Sequence, residues 1–380
     1  MVIGYDAKRA FQNMTGLGNY SRMLICGLAK EHPQDRCFLY APRMTGYYKG
    51  YFSNYANIST RQPTGLIRFF PDLWRRFDVG MHLQGDGVDI YHGLSHELPH
   101  GIGKDIKKVV TMHDLIVWRY PQFYKPIDRV IHRFKQRHSC RIADVVIAIS
   151  EATKRDLIDF MHIPEEKIRV IYQSCDPIFW QPVSEQVRKE IREDYNLPEK
   201  YIICVGSIEE RKNQIAVVKA MAHLPEDVHL AIVGKPHGSY HLELEKVIGE
   251  TGMAQRVHIL DDAGFDDFPA LYAGAQASVY ASLFEGFGIP ILESMCCDTP
   301  VVTSNISSMP EAGGDAVLYA DPSKPEEIAV QLNRILTEPG LREELVAKGC
   351  EQRERFAMPR IIEQFYRLYA DLLPDTATEE

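Results

Sequence analysis

Two glutamates bracket the string Glu285-Gly-Phe-Gly-Ile-Pro-Ile-Leu-Glu293. Gly286 and Gly288 permit a sharp turn and a close approach of backbone to a ligand. Pro290 stands where proline is favoured, in the first turn of a helix. The N–H groups of such a helix start, with the dipole behind them, form an anion site. A carboxylate outside the start and another one turn inside it suit hydrogen bonds to sugar and ribose hydroxyls beside a phosphate-type group. The dipole alone explains Glu293 as readily, but it does not explain the whole string.

Arg211-Lys212-Asn213 follows Val205-Gly-Ser207 at a strand-to-helix turn. Two cations there could neutralise a diphosphate leaving group, with Arg211 gripping it bidentately; the ordinary alternative is a solvated basic pair. Thr15-Gly-Leu-Gly-Asn-Tyr20 follows the first strand region and opens a helix, so Gly16 and Gly18 either cradle phosphate or simply turn the chain. A dinucleotide fingerprint would need a third small residue at position 21, where Ser21 is an imperfect fit, and an acid at the end of the second strand. That strand ends Phe38-Leu-Tyr-Ala-Pro42, which argues against a nicotinamide cofactor. His113 ends an apolar strand, where its ring can donate to a sugar hydroxyl or stabilise developing charge, with Asp114 to orient it. His96-Glu-Leu-Pro-His100 satisfies the letter of a zinc-protease motif. That chemistry needs one helix face, and Pro99 with Gly93, Gly101 and Gly103 argues against a helix. No Asp-x-Asp pair is present, and no metal is expected.

These residues need elements to hold them. In the second half, apolar runs begin at Tyr201, His229, Val257, Ala277 and Pro300. Helix-like segments lie between most of them, at Asn213–Leu224, His241–Thr251, Asp267–Gly274 and Pro290–Cys297. That alternation implies βαβ units and a parallel sheet covered on both faces. The first half repeats it less regularly, with strands at Val2–Asp6, Cys37–Ala41, Asp89–His92, Lys108–His113, Asp144–Ser150 and Ile168–Tyr172. Tyr20–Lys30 reads as a helix, and Ser150 as the N-cap of another through Phe160. The proline-bearing stretch 174–198 reads as the connection between two open α/β domains. Three helices follow Pro325, and the chain ends in an acidic tail. Ligands of such sheets bind at the carboxyl ends of the strands, here expected in a cleft between the domains.

The nine-residue string resembles the E-x7-E motif of the retaining GT-B glycosyltransferases grouped as family 4. The resemblance extends over nearly the whole chain and includes Thr299-Pro-Val-Val-Thr-Ser304. It implies an α/β GT-B architecture, two Rossmann-like domains with parallel sheets facing a central cleft. Residues 1–175 would form the acceptor-side domain and 176–358 the donor-binding domain. Residues 359–380 would supply a C-terminal helix packing back on the first domain, then the tail. It implies that Glu285 contacts the donor sugar, that the loop positions Gly286, Phe287, Gly288, Ile289 and Pro290 hold the distal phosphate, and that Glu293 holds the ribose. Pro290 itself has no N–H to give. Gly16 and Gly18 would face the diphosphate. Ser207 stands where many relatives carry an arginine, which leaves Arg211 and Lys212 to supply the cations. The implied co-substrate is a nucleoside-diphosphate sugar, GDP-mannose first and UDP-sugars next, with a glycan or lipid-linked acceptor. A GT-B epimerase, a phosphorylase or a non-catalytic nucleotide-sugar-binding subunit would share the fold.

The net charge of −9 divides unevenly: residues 1–180 hold 25 Lys/Arg and 18 Asp/Glu, the remainder 18 and 34. The basic half is where an anionic partner belongs. Its segments Arg68–Phe77 and Lys125–Arg141 suit an anionic membrane surface or a solvated helix face. No nucleic-acid motif accompanies the charge. Eight scattered cysteines without a Cys-x-x-Cys pair fit a reducing cytosol. No apolar run approaches the roughly 18–20 residues that span a bilayer, so a cytoplasmic protein is expected, with peripheral contact at the membrane face.

Overall fold

The computed structural model describes residues 1–374 apart from 45 and 47; the expected acidic tail, 375–380, lies outside the described residues. The chain divides into two compact units, Met1–Gln173 with the stretch from Met358, and Ser174–Ala357.

Among the described residues the first unit is built on seven parallel strands: β1 (Val2–Asp6), β2 (Arg36–Tyr40), β3 (Ile58–Arg61), β4 (Ile90–Gly93), β5 (Lys107–Met112), β6 (Val145–Ala148) and β7 (Ile168–Val170). Their order is β3-β2-β1-β4-β5-β6-β7. Side chains alternate across the sheet, and both faces are covered. Cys37 and Leu39 join a layer with Leu24 and Ile25 of the helix Gly16–Glu31, while Phe38 and Tyr40 join Trp74 and Leu83 on the other face. Each such side chain, fully buried, contributes about 1.5–3 kcal/mol. The helix Met358–Leu372 closes the first layer through Ile361, Ile362, Phe365 and Tyr369. Gly27 admits it, since a Cβ there would stand 2.4 Å from Ile362 Cδ1. The end of the chain therefore completes the core of the first unit.

The second unit carries β8 (Tyr201–Val205), β9 (His229–Val233), β10 (Val257–Leu260), β11 (Ala277–Tyr280), β12 (Val301–Ser304) and β13 (Leu318–Ala320), in the order β10-β9-β8-β11-β12-β13. Ile202, Leu230, Val279 and Val302 pack with Val217, Ile328 and Leu332 of the covering helices. The helix read as Asn213–Leu224 runs over Gln214–Ala220 and then tightens to a single 3₁₀ turn. Strands β3 and β13 were not expected. Both lie at sheet edges, one polar and one only three residues long.

Strand order reverses between β1 and β4 in one sheet and between β8 and β11 in the other. At such a point the loops leaving the carboxyl ends diverge and open a crevice. In the second unit those loops carry Arg211 and Lys212 after β8, and Glu285 after β11.

Candidate active site

In the second unit the structure brings Arg211, Lys212 and Glu285 together. Arg211 Nη1 lies 2.5 Å and Lys212 Nζ 2.8 Å from Glu285 Oε1. These close charge-assisted contacts place both cations on one carboxylate oxygen. Arg211 also reaches Glu209 Oε1 at 2.7 Å and the Phe284 carbonyl at 3.0 Å. Lys212 Nζ donates to the Tyr280 hydroxyl at 2.5 Å. Asn213, held at φ 59°, ties the turn to the carbonyls of Ala281 and Pro322. The Glu285 side chain is only 12% exposed. Burial raises its pKa, yet Arg211 and Lys212 more than offset this and hold it at about 2. With both cations beside it, Glu285 is ionised throughout the physiological range. Burial lowers the Lys212 pKa, and the charge of Glu285 opposes that shift.

The helix Ile289–Cys296 starts where the sequence indicated. Gly288 caps it at φ 116°, a conformation L side chains rarely adopt. Pro290 occupies its first turn. Ser308 Oγ donates to the carbonyls of Glu285 at 2.9 Å and Phe287 at 2.8 Å, and Ser307 Oγ to that of Glu285 at 2.8 Å. The turn from Glu285 to Gly288 is thus held from below by the loop after β12. Glu293 does not join the cation cluster. Its Oε2 accepts from the Tyr272 hydroxyl at 3.0 Å. Burial raises its pKa to about 7, with Tyr272 and Lys212 pulling the other way.

In the first unit Gly16 and Gly18 behave differently. A Cβ on Gly18 would lie 1.9 Å from the Asn13 carbonyl oxygen, whereas one on Gly16 would meet nothing within 4 Å. Gly18 is required by packing; Gly16 is exposed and open. Tyr20, one turn along, meets the His113 ring edge-on at 4.7 Å. His113 is 5% exposed. Its Nε2–H donates to the Leu94 carbonyl at 2.8 Å, and its Nδ1 accepts from the Gln173 amide at 2.9 Å. Burial, then neighbouring His96, push its pKa down to about 3, so the ring stays neutral. Asp114 is not what orients this ring. Both nitrogens are taken by Leu94 and Gln173, and the Asp114 carboxylate accepts from the Ile116 N–H.

The His96–His100 segment is a loop, as Pro99 required. His96 Nε2 accepts the His113 backbone N–H at 2.8 Å, while His100 stacks on Phe77 and lies tilted against His138. Among the described residues no group of three or more His, Cys, Asp or Glu side chains is placed to hold a metal ion, and all eight cysteines are free. Among the described residues no helix is long and apolar enough to cross a membrane.

Sequence reasoning missed Glu209, Tyr280, Tyr272 and Gln173. Glu209 was visible as an acid two positions before Arg211. Tyr280 carried a weak signal as a polar group ending an apolar strand. Nothing local marked the other two.

Two doubly wound parallel sheets, alike in order over six strands with a seventh at one edge of the first, and a glutamate–cation cluster at the switch point of the second, are the arrangement of the GT-B glycosyltransferases. Solved structures agree on the fold. HepE of Anabaena, crystallised with UDP-glucose, superposes with a TM-score of 0.77 at 19% identity, covering 97% of this chain and 99% of that one. A sucrose-phosphate synthase of Thermosynechococcus elongatus gives 0.77 at 20% identity, covering 98% and 99%. The family model "Glycosyltransferase Family 4" matches residues 14–178, and "Glycosyl transferases group 1" matches residues 187–352. The O-antigen chain mannosyltransferase B of Escherichia coli is 30% identical over 372 residues, 94% of this chain and 96% of the relative. The O-antigen chain mannosyltransferase RfbU of Salmonella typhimurium is 29% identical over 216 residues, 57% of each. The chain belongs to the group 1, family 4 glycosyltransferases.

Proposed function

We propose that the chain is a retaining, metal-independent hexosyltransferase. Its donor is GDP-mannose, and its acceptor is a glycan or lipid-linked saccharide in cell-surface polysaccharide synthesis. The observation that carries this reading is the convergence of Arg211, Lys212 and Glu285 at the β8–β11 switch point. Two similar relatives named as mannosyltransferases of O-antigen chains support the sugar and the pathway class.

The proposed chemistry is electrostatic positioning. A diphosphate competes with Glu285 for Arg211 and Lys212, and the amides around Gly288 and Ile289 receive its distal phosphate. Glu285, sharing the cations with the diphosphate, accepts hydrogen bonds from sugar hydroxyls. The bond from sugar C1 to the β-phosphate oxygen breaks as the bond from C1 to the acceptor oxygen forms on the same face. The acceptor proton passes to the departing phosphate oxygen, and two cations stabilise the charge left there without a metal. Glu293 holds the ribose. His113 acts as a neutral donor that exchanges Leu94 for a sugar hydroxyl.

The test is calorimetric binding of GDP, UDP and ADP, followed by transfer from the matching mannose and glucose donors, with and without acceptor, in the presence of a chelator. The reading expects GDP to bind tightest and transfer to need an acceptor but no metal. Turnover of the donor without acceptor would convert the reading to epimerase chemistry, and preference for UDP would overturn the donor.

A further inference from the structure

The helix Pro126–Ile142 is inside out. Its apolar residues Ile127, Val130, Ile131 and Phe134 follow the i, i+3, i+4, i+7 spacing that makes one stripe, yet that stripe is exposed, with Val130 at 66% and Phe134 at 56%. The face turned into the protein is mostly polar, with Gln136 and Ser139 buried beside a single small apolar residue, Cys140. Gln136 Oε1 accepts from Trp118 Nε1 at 2.7 Å, and Ser139 Oγ accepts from the Leu98 N–H at 2.8 Å. A surface helix of a protein surrounded only by water shows the opposite arrangement.

The segment Gly65–Gly85 has the same character. Leu66, Phe69, Phe70 and Phe77 are exposed, Leu66 at 84%. Among the described residues, ten of the seventeen large apolar side chains left exposed lie in these two stretches, so the apolar surface is concentrated rather than scattered. Three contacts join the stretches into one face. Glu97 takes Arg75 on Oε2 at 2.6 Å and Lys135 on Oε1 at 2.9 Å, one from each. His100 stacks on Phe77 at 5.1 Å and meets the tilted ring of His138 at 4.0 Å. The His100 N–H donates to the Arg76 carbonyl at 2.8 Å.

Cations interleave with the apolar groups. Arg68 and Arg76 lie over Phe69 and Phe77, and Arg133 and Arg137 over Trp118. The acids of the two segments are fewer: Asp72 pairs with Lys8 and Asp78 with His82, while Asp128 stands in the first turn of the helix. An apolar patch of this extent marks an interaction site. Exposed Phe and Leu beside Arg, with arginine stems covering aromatic rings, is the composition of a surface that lies in a headgroup layer.

We propose that this face of the first unit, Leu66–Phe77 with Ile127–Phe134, docks on an anionic phospholipid bilayer, inserting its aromatic and aliphatic side chains to the acyl boundary while the arginines meet the headgroups. This face includes neither the donor cluster nor any residue assigned to the sugar, so membrane docking is independent of the proposed reaction. Each basic residue held at such a surface gives about a fivefold gain in partition, and salt screens it.

The test is sedimentation of the full chain with extruded vesicles of phosphatidylcholine alone, or of equal parts phosphatidylcholine and phosphatidylglycerol. Expected is binding to the anionic vesicles only, weakened at least tenfold between low and high salt. A variant with Phe69→Ser, Phe70→Ser, Val130→Ser and Phe134→Ser should lose binding at least tenfold. Its melting temperature and its nucleotide affinity should match those of the parent, because all four side chains are exposed. Equal binding by parent and variant, or none by the folded parent, would overturn the proposal. So would self-association by light scattering that the same substitutions abolish without any vesicle binding, since the face would then join two copies of the chain.

Discussion

Lys212 and Glu285 stand on opposite sides of the β8–β11 reversal, and their largely buried charges meet at 2.8 Å, with Arg211 on the same carboxylate oxygen. Glu285 neutralises two cations that the proposed donor would claim. Glu285→Gln keeps the shape and deletes the charge. Transfer should fall by about 10²–10³-fold, while free GDP should bind at least as tightly as to the parent, because its competitor for Arg211 and Lys212 is gone. Steady-state transfer and calorimetric GDP binding separate the two effects. Equal losses in both would mean that Glu285 only builds the pocket. Glu285→Ala is the poorer test, since it leaves two buried cations without their partner and lowers stability as well.

Lys212→Met removes the ammonium but retains the length. Arg211 still holds Glu285, Glu209 and the Phe284 carbonyl, so the loop should keep its conformation and the melting temperature should move by no more than a few degrees. The diphosphate loses one of its two cations, a charge-assisted contact of about 1.5–3 kcal/mol. GDP affinity should therefore drop roughly tenfold to a hundredfold by calorimetry. Guanosine without phosphates should bind as it does to the parent. A loss that appears equally with guanosine would place Lys212 away from the phosphates.

The sequence shows the strands and the nine-residue string because both are local. A parallel strand buried on two faces is a continuous apolar run, and Gly288 with Pro290 announces a helix start over a few residues. Two strands escaped because edge strands need no such run: Ile58-Ser-Thr-Arg61 alternates with polar groups, and Leu318–Ala320 is only three residues long. The site was legible as separate pieces. Nothing in the chain says that Lys212 lies on the Tyr280 hydroxyl, or that Gln173 holds His113, since those pairings arise from the order of strands in each sheet. The charged helix Pro126–Ile142 was visible as charge, but the exposure of its apolar stripe depends on which face Gln136 and Ser139 take inward.

The two glutamates of the string should give opposite pH signatures. Glu293 has its folded pKa raised to about 7 from the usual 4.5. The folded state therefore holds its proton more tightly than the unfolded chain, and stability is lost as pH rises through that window. The ceiling is about 3 kcal/mol, and Glu293→Gln should flatten the slope of melting temperature between pH 5 and pH 8. Glu285, held at about 2, contributes stability that is present above pH 4.5 and lost only as pH falls toward 2. If Glu293 binds ribose as a carboxylate, GDP affinity should rise as pH passes through about 7. The Gln variant should not show that rise. A pH slope that survives in Glu293→Gln would assign it to another group.

The glycine-rich turn gives a paired test of structure against function. A Cβ at position 18 would overlap the Asn13 carbonyl oxygen at 1.9 Å, and that contact is backbone, which cannot swing aside. Gly18→Ala should therefore cost several kcal/mol, on the order of 2–4, and lower the melting temperature by about 5 °C or more. Gly16 has open space where its Cβ would go, and its substitution should leave the melting temperature within a degree or two. Gly16→Ala thus isolates the question of whether a ligand approaches this backbone. If the diphosphate or acceptor comes within contact distance, transfer by the fully folded variant should fall tenfold or more, mainly through KM. Unchanged kinetics in a chain that melts like the parent would reduce the motif to a turn that lets the helix Gly16–Glu31 begin against Asn13.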